Sequence, residues 1–97
     1  MSCESEASSF IATIRGRVQG VGYRYYTLMR AQQLGVTGWV RNEADASVRV
    51  VAQGRREVLD AFMVGLKVGP TDANVADIDV DWSYMCGNDF GKFEIRS

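Results

Sequence analysis

Apolar residues recur with strand and helix spacing along the first third of the chain. Residues 10–15 alternate between apolar and polar positions and predict a half-buried strand. Residues 16–22 contain three glycines and predict a loop, and residues 23–34 have the spacing of an amphipathic helix that Gly35 ends. The residues expected to face the core are Phe10, Ala12 and Ile14 in the strand and Tyr23, Tyr26, Ala31 and Leu34 in the helix.

The middle of the chain predicts a β-hairpin followed by a second helix. Residues 36–41 are rich in β-branched and aromatic residues and predict a strand, and residues 47–53 predict another, with alternate residues on one face. The polar residues 42–46 between them predict a turn. Residues 55–68 have helical spacing, and the sequence Gly69-Pro70 ends the helix. The residues expected to face the core are Val48, Val50 and Ala52 in the strand and Val58, Leu59, Phe62 and Leu66 in the helix.

The last third of the chain predicts two further strands. Residues 75–82 alternate strictly, residues 84–91 predict a loop or hairpin, and residues 92–96 predict a short final strand. The order β-α-β-β-α-β plus this last strand predicts an α+β fold, a ferredoxin-like sandwich with two helices packed on one face of an antiparallel sheet. The residues expected to face inward are Ile78, Val80, Trp82, Phe93 and Ile95.

Length and composition favour one soluble domain. The chain has 97 residues, of which 46% are hydrophobic and 24% charged, which suffices for a single apolar core. Residues 1–9 are polar and predict a flexible N-terminal tail before a domain at 10–97, and they lack the apolar segment of a signal peptide. Since no apolar run has membrane-spanning length, we expect a cytoplasmic, monomeric protein with no membrane partner, in which Cys3 and Cys86 are free thiols.

Charge and histidine content restrict the possible chemistry. The net charge is −1, which argues against a nucleic-acid partner, because such proteins carry a basic surface. The chain contains no histidine, so the commonest general base and metal ligand is missing. Any catalysis then depends on arginine, lysine, carboxylates, amides or backbone groups.

The glycine-rich segment joins a strand to a helix, which is a place where anions bind. Unpaired N–H groups and the positive end of the helix dipole meet there, and glycines let successive N–H groups converge. Arg24, in the first helical turn, can reach the same anion. The glycines alone are better explained by a tightly packed connection, with Arg24 as an ordinary surface residue. A Walker motif is excluded, because no Gly-Lys-Ser/Thr follows.

Two segments taken together resemble the signatures of the acylphosphatase family. The first is Gly16-Arg17-Val18-Gln19-Gly20-Val21-Gly22-Tyr23-Arg24. The second is Gly38-Trp39-Val40-Arg41-Asn42, followed by Val48 and Gly54 at the spacing the family uses. The resemblance extends over nearly the whole chain after the tail.

The resemblance implies a hydrolase that cleaves the carboxyl–phosphate anhydride of small acyl phosphates with no metal or cofactor. It implies that Arg24 and the amides of a phosphate-binding loop bind the phosphoryl group, and that Asn42 positions the attacking water. The substrate-binding residues implied in this way are Val18, Gln19, Gly20, Val21, Gly22 and Tyr23.

The chain departs from the family pattern at two positions. Tyr23 replaces a common phenylalanine and keeps its aromatic body. Ala46 stands where glycine is usual in the turn after Asn42, and glycine there suggests a positive φ, which alanine adopts at a cost of about 1 kcal/mol or more. We expect the turn either to be mildly strained or to be rebuilt with Asp45 as its left-handed residue.

Other candidate sites and functions have simpler explanations. Asp77, Asp79 and Asp81 share one face of a strand and indicate a solvated surface rather than a metal site. Cys86 has no histidine to activate it as a nucleophile. An RNA-binding domain on this fold would carry exposed aromatic residues on its central strands, and residues 47–53 contain none. A domain of a larger carbamoyl-transfer protein is disfavoured by the length of the chain.

Overall fold

The computed structural model describes residues 7–84 and 90–96, which form five strands and two helices. The element order matches the predicted one, with the short final strand at its end. In chain order the elements are β1 (Ala7–Arg17), α1 (Tyr23–Leu34), β2 (Thr37–Asn42), β3 (Val48–Arg55), α2 (Arg56–Val68), β4 (Asn74–Tyr84) and β5 (Phe93–Arg96). Both cysteines, Cys3 and Cys86, and most of the predicted 84–91 loop lie outside the described residues.

The strands form one sheet in the order β4-β1-β3-β2-β5. Neighbouring strands are antiparallel except for β2 and β5, which are parallel. The predicted ferredoxin-like α+β sandwich is therefore confirmed, and β5 extends its antiparallel sheet into a mixed one. Within the described residues, neither helix combines the length and the apolar character needed to cross a membrane.

Strand β1 is longer at both ends than the alternation of its residues predicts. It begins at Ala7, which is opposite Arg55 of β3, so residues 7–9 belong to the sheet and not to the predicted tail. At the other end the register shifts after Arg15, and Gly16 lies opposite Val75 of β4 with a φ of 126°. Pairing with two long neighbouring strands supplies backbone hydrogen bonds that a single-strand pattern does not reveal.

The core lies between the sheet and the two helices, and aromatic rings cross it. The Phe10 and Phe62 rings stack with their centroids 6.2 Å apart, and Phe10 meets Trp82 edge-on at 5.1 Å. The predicted inward residues of β1 and β3 are fully buried, as are Leu59, Phe62 and Leu66 of α2. In α1 the prediction was only partly right, because Thr27 is buried whereas Tyr26 and Leu34 are half-buried. Gly35 ends α1 in the left-handed conformation, as predicted.

Two tyrosines of α1 hold the C-terminal end of α2. The Tyr23 hydroxyl donates to the carbonyl of Leu66 at 2.6 Å, and the Tyr26 hydroxyl donates to the carbonyl of Gly65 at 2.8 Å. The Leu66 carbonyl, in the last turn of α2, gains a donor in this way, whereas the Gly65 carbonyl also accepts the backbone N–H of Gly69. The hydroxyl that distinguishes Tyr23 from the usual phenylalanine thus connects the two helices.

Strand β4 forms one edge of the sheet and carries a row of carboxylates. Asp77, Asp79 and Asp81 are exposed on the face away from the helices, and Arg15 of β1 donates to Asp79 at 2.7 Å. The described residues contain no cluster of histidine, cysteine, aspartate or glutamate suited to a metal ion. The interpretation of this row as a solvated surface is confirmed.

Candidate active site

The topology brings the C-terminal ends of three strands to the same end of the sheet. Strands β1 and β2 are both antiparallel to β3, so they run in the same direction, and β5 is parallel to β2. Their C-terminal ends therefore lie at the same end of the sheet. The glycine-rich loop leaves β1 there, and Asn42 is the last residue of β2.

The glycine-rich loop is shorter than predicted, because Gly16 and Arg17 belong to β1 and only residues 18–22 connect it to α1. The Val18 side chain is buried and anchors the loop in the core. Gly20 and Gly22 have φ of 74° and 80°, and a Cβ at either position would meet nothing within 4 Å. The left-handed backbone thus favours glycine at these two positions, and lack of space does not.

This loop forms an N–H-rich start to α1. Gly22 is the N-cap of the helix and provides no side-chain hydrogen bond, and the first turn contains no acidic residue. The first N–H groups of a helix have no partner within it, and the helix dipole adds positive potential at the same point. The arrangement is suited to a bound phosphate.

Arg24 adds a guanidinium to the same position. It lies in the first turn of α1 and is half-buried. In the described part of the chain, no side chain forms a hydrogen bond or ion pair with it, whereas Arg15, Arg41, Arg56 and Arg96 all have acidic partners. Its planar fork is therefore available for bidentate binding of a phosphoryl group.

Asn42, the last residue of β2, carries a buried acceptor. Its side-chain oxygen Oδ1 is buried and accepts no hydrogen bond from any residue that the structure describes. Buried side-chain oxygens usually have a donor. Asn42 and Arg24 line one cleft of about 190 Å³, which is smaller than the roughly 300 Å³ at which sites for drug-sized ligands begin. Its described lining is Val18, Gly20, Gly22, Tyr23, Arg24, Tyr25, Asn42 and Ile95.

Most of the residues that the sequence implied for the site line this cleft. Gln19 and Val21 do not, and the Tyr23 hydroxyl points away to α2. Burial raises the pKa of the Tyr23 phenol, with a smaller contribution from Tyr26, so it stays protonated at neutral pH. Two lining residues were missed, Tyr25 and Ile95. Ile95 was expected to face inward, yet 39% of it is exposed.

Gln19 connects the loop to the turn that follows Asn42. Its side-chain Nε2 donates to the carbonyl of Glu43 and to the carbonyl of Ser47, both at 2.8 Å. One amide group thereby uses both N–H donors on the two ends of the β2–β3 turn. Gln19 thus connects the glycine-rich loop to the turn after Asn42 without lining the cleft.

The β2–β3 turn keeps a glycine conformation without a glycine. Ala46 has a φ of 75°, so the turn is strained and is not rebuilt around Asp45. The Ala46 N–H donates to the carbonyl of Glu43, and the Glu43 N–H donates to the carbonyl of Ser47. Asp45 instead accepts from the Ser47 hydroxyl and N–H at 2.5 and 3.1 Å, and these bonds lower the pKa of its carboxyl.

We expect Ala46→Gly to raise the free energy of unfolding by about 0.5–1 kcal/mol, because glycine adopts this φ without a steric cost. Ala44→Gly is the matched control, since Ala44 is exposed in the same turn and has no positive φ. There glycine only adds flexibility to the unfolded chain and is expected to lower stability by a similar amount. Urea unfolding of both variants measures the difference, and equal effects of the same sign would contradict the strain at Ala46.

The open face of the sheet lacks the features of an RNA-binding surface. The outward residues of the central strands β1 and β3 include Ile11, Thr13, Arg49 and Val51, and none is aromatic. Trp39 lies one strand further out, with the Arg41 and Arg96 guanidiniums 4.8 and 5.2 Å from its ring centroid. Trp39 is half-buried, and its ring interacts with these two guanidiniums.

Comparisons with known proteins agree over most of the chain. A family model described as Acylphosphatase matches residues 10–95. Curated proteins named Acylphosphatase are similar at 53% identity in Salinibacter ruber, covering 88% of each chain, and at 46% in Acaryochloris marina, covering 87% of this chain and 88% of that one. The crystal structure of acylphosphatase from Bacillus subtilis is similar with a TM-score of 0.88 at 33% identity, covering 93% of this chain and 99% of that one.

Proposed function

The chain belongs to the acylphosphatase family, and from that premise we propose how its own residues hydrolyse small acyl phosphates. Arg24 and the amides of residues 18–22 bind the phosphoryl group, Asn42 orients the attacking water, and no metal takes part. The observation that carries the proposal is the meeting, in one small cleft, of a guanidinium that no described side chain pairs, an N–H-rich loop and a residue with a buried acceptor.

Arg24 and the N–H groups of the loop together stabilise the negative charge of the phosphoryl group. In phosphoryl transfer, charge spreads over the three non-bridging oxygens, and catalysis consists mainly of positioning and electrostatic stabilisation. In this proposal the backbone N–H groups of the loop bind these oxygens, and the guanidinium spans two of them. Because Val18 and the Gln19 tether hold the loop, the donors need little reorganisation during the reaction.

Asn42 orients the water and does not act as a base. Its amide does not take up a proton near neutral pH, but its Oδ1 accepts a hydrogen bond from water. The water oxygen forms a bond to phosphorus while the bond between phosphorus and the acyl oxygen breaks. The electron pair of the broken bond leaves with the carboxylate. The proton released by the water passes to a non-bridging phosphate oxygen of the substrate.

The leaving group explains how a chain without histidine catalyses this reaction. A carboxylate is the conjugate base of an acid with a pKa of about 4 to 5, so it departs without protonation. No general acid is then required. The described lining of the cleft contains no carboxylate, which is the ligand type that a divalent cation such as Mg²⁺ would require. The monomeric state and the cytoplasmic location stay predictions from the sequence.

We expect hydrolysis of benzoyl phosphate to be unchanged by an excess of a chelator such as EDTA and to be inhibited competitively by inorganic phosphate. The loss of benzoyl phosphate is followed by its ultraviolet absorbance. A loss of activity with chelator that Mg²⁺ restores would contradict the metal-free mechanism. Binding of phosphate without any hydrolysis would instead favour a non-catalytic binding module on this fold.

A further inference from the structure

Two large apolar side chains are exposed at the mouth of the cleft. Tyr25, in the first turn of α1, is 62% exposed, and Ile95 of β5 is 39% exposed. Both line the cleft with Arg24 and Asn42. Neither takes part in binding the phosphoryl group or in orienting water, and neither belongs to the buried core.

These side chains lie where the acyl group of the substrate would lie, which Arg24 and the loop amides do not bind. An acyl phosphate has its acyl carbon one bridging oxygen away from phosphorus. With the phosphoryl group at Arg24 and the loop, the acyl group extends towards the mouth of the same cleft. The walls there are the phenol ring of Tyr25 and the aliphatic side chain of Ile95.

The charge of the lining restricts the acyl group further. In the part of the chain that the structure describes, Arg24 alone among the cleft residues carries a charge, and the phosphoryl group occupies it. A free carboxylate on the acyl group would therefore have no cation to bind in this lining. A flat or bulky apolar group would instead cover exposed carbon surface, which is favourable.

We propose that Tyr25 and Ile95 form an acyl subsite that makes the enzyme favour aromatic acyl phosphates over acetyl phosphate. The inference rests on the proposed hydrolysis of acyl phosphates and adds the class of acyl group. Tyr25 and Ile95 are specificity-determining residues in this proposal, since they touch the acyl group and not the reacting phosphorus.

The test compares kcat/KM for benzoyl phosphate and acetyl phosphate in the wild type and in Tyr25→Ala. The two anhydrides differ in intrinsic reactivity, but this difference is the same for both enzymes and cancels when the benzoyl-to-acetyl ratios are compared. We expect Tyr25→Ala to lower the ratio about tenfold, the size of effect that loss of one apolar contact produces. Ile95→Ala is expected to lower it in the same direction.

Three further variants separate substrate contact from structural damage. Tyr25→Phe keeps the ring and is expected to keep the ratio, and Tyr25→Gln removes the ring on an exposed helical position and is expected to lower it as Tyr25→Ala does. Met29→Ala is the matched control, because Met29 is 40% exposed one turn further along α1 and does not line the cleft. Its ratio is expected to equal that of the wild type.

The outcomes distinguish this inference from the function it rests on. An unchanged ratio in Tyr25→Ala and Tyr25→Gln, with both substrates hydrolysed by the wild type, overturns the acyl subsite and leaves the hydrolase mechanism intact. Equal losses for both substrates in these variants overturn it as well. A wild-type protein that hydrolyses neither substrate overturns both proposals.

Discussion

Replacing Arg24 with alanine is expected to lower kcat/KM for benzoyl phosphate by about 10³-fold or more, the scale on which arginine stabilises phosphoryl transfer. The loop amides would remain, since the backbone of α1 tolerates alanine. They hold the phosphoryl oxygens from one side only, however, and no other cationic residue is among the described residues that line the cleft. Steady-state kinetics of the purified variant measure the loss.

Two control variants define what the guanidinium contributes. Arg24→Lys retains a positive charge but not the planar fork, so we expect it to recover only part of the lost activity. Arg17→Ala removes an exposed arginine at the end of β1 that does not line the cleft, and its activity is expected to stay within about twofold of the wild type. Near-normal activity of Arg24→Ala, or equal losses in the two alanine variants, would refute the role given to Arg24.

Replacing Asn42 with alanine is expected to lower kcat by about 10²-fold, the loss typical of removing one positioned polar group from an active site. Binding of inorganic phosphate should change little, because the amides and Arg24 remain. The result to look for is thus a fall in kcat with an almost unchanged inhibition constant for phosphate. This separation distinguishes orientation of water from binding of the phosphoryl group.

The control for Asn42 is Asn74→Ala, at the exposed start of β4, which is expected to leave kcat unchanged. Asn42→Asp provides a second test, because a carboxylate close to the phosphoryl group would repel it and weaken phosphate binding as well. If Asn42→Ala raised the inhibition constant for phosphate as much as it lowered kcat, Asn42 would be a phosphate ligand and not a water-orienting residue.

The sequence predicts best those features that depend on local conformation. The bounds of α1 follow from glycines on either side of it, and Gly35 does adopt the predicted left-handed cap. The extension of β1 to Ala7 and Arg17 was not predictable from its own residues, because it depends on pairing with β3 and β4. The residues of one strand predict its pairing with distant strands only weakly.

In the candidate site, too, local motifs were predictable and contacts between distant segments were not. Arg24 and Asn42 were implied by two long motifs, and the parallel direction of β1 and β2 explains why these motifs meet in space. The tether from Gln19 to the β2–β3 turn involves backbone carbonyls, which every residue has, so no sequence pattern indicates it. Ile95 was misplaced because alternation assigns a residue to a face of the sheet but does not show how far that residue is buried there.

The carboxylate row on β4 bears on how the molecule behaves in a concentrated solution. An outer strand presents unpaired backbone N–H and C=O groups on which another chain can add a strand, the first step of many aggregates. If the β4 strands of two molecules approached each other, their aspartates would repel, and Arg15 offsets this repulsion only in part, because its one positive charge lies beside Asp77 and Asp79. A surface that contributes neither to the core nor to the cleft is therefore expected to disfavour association through this strand.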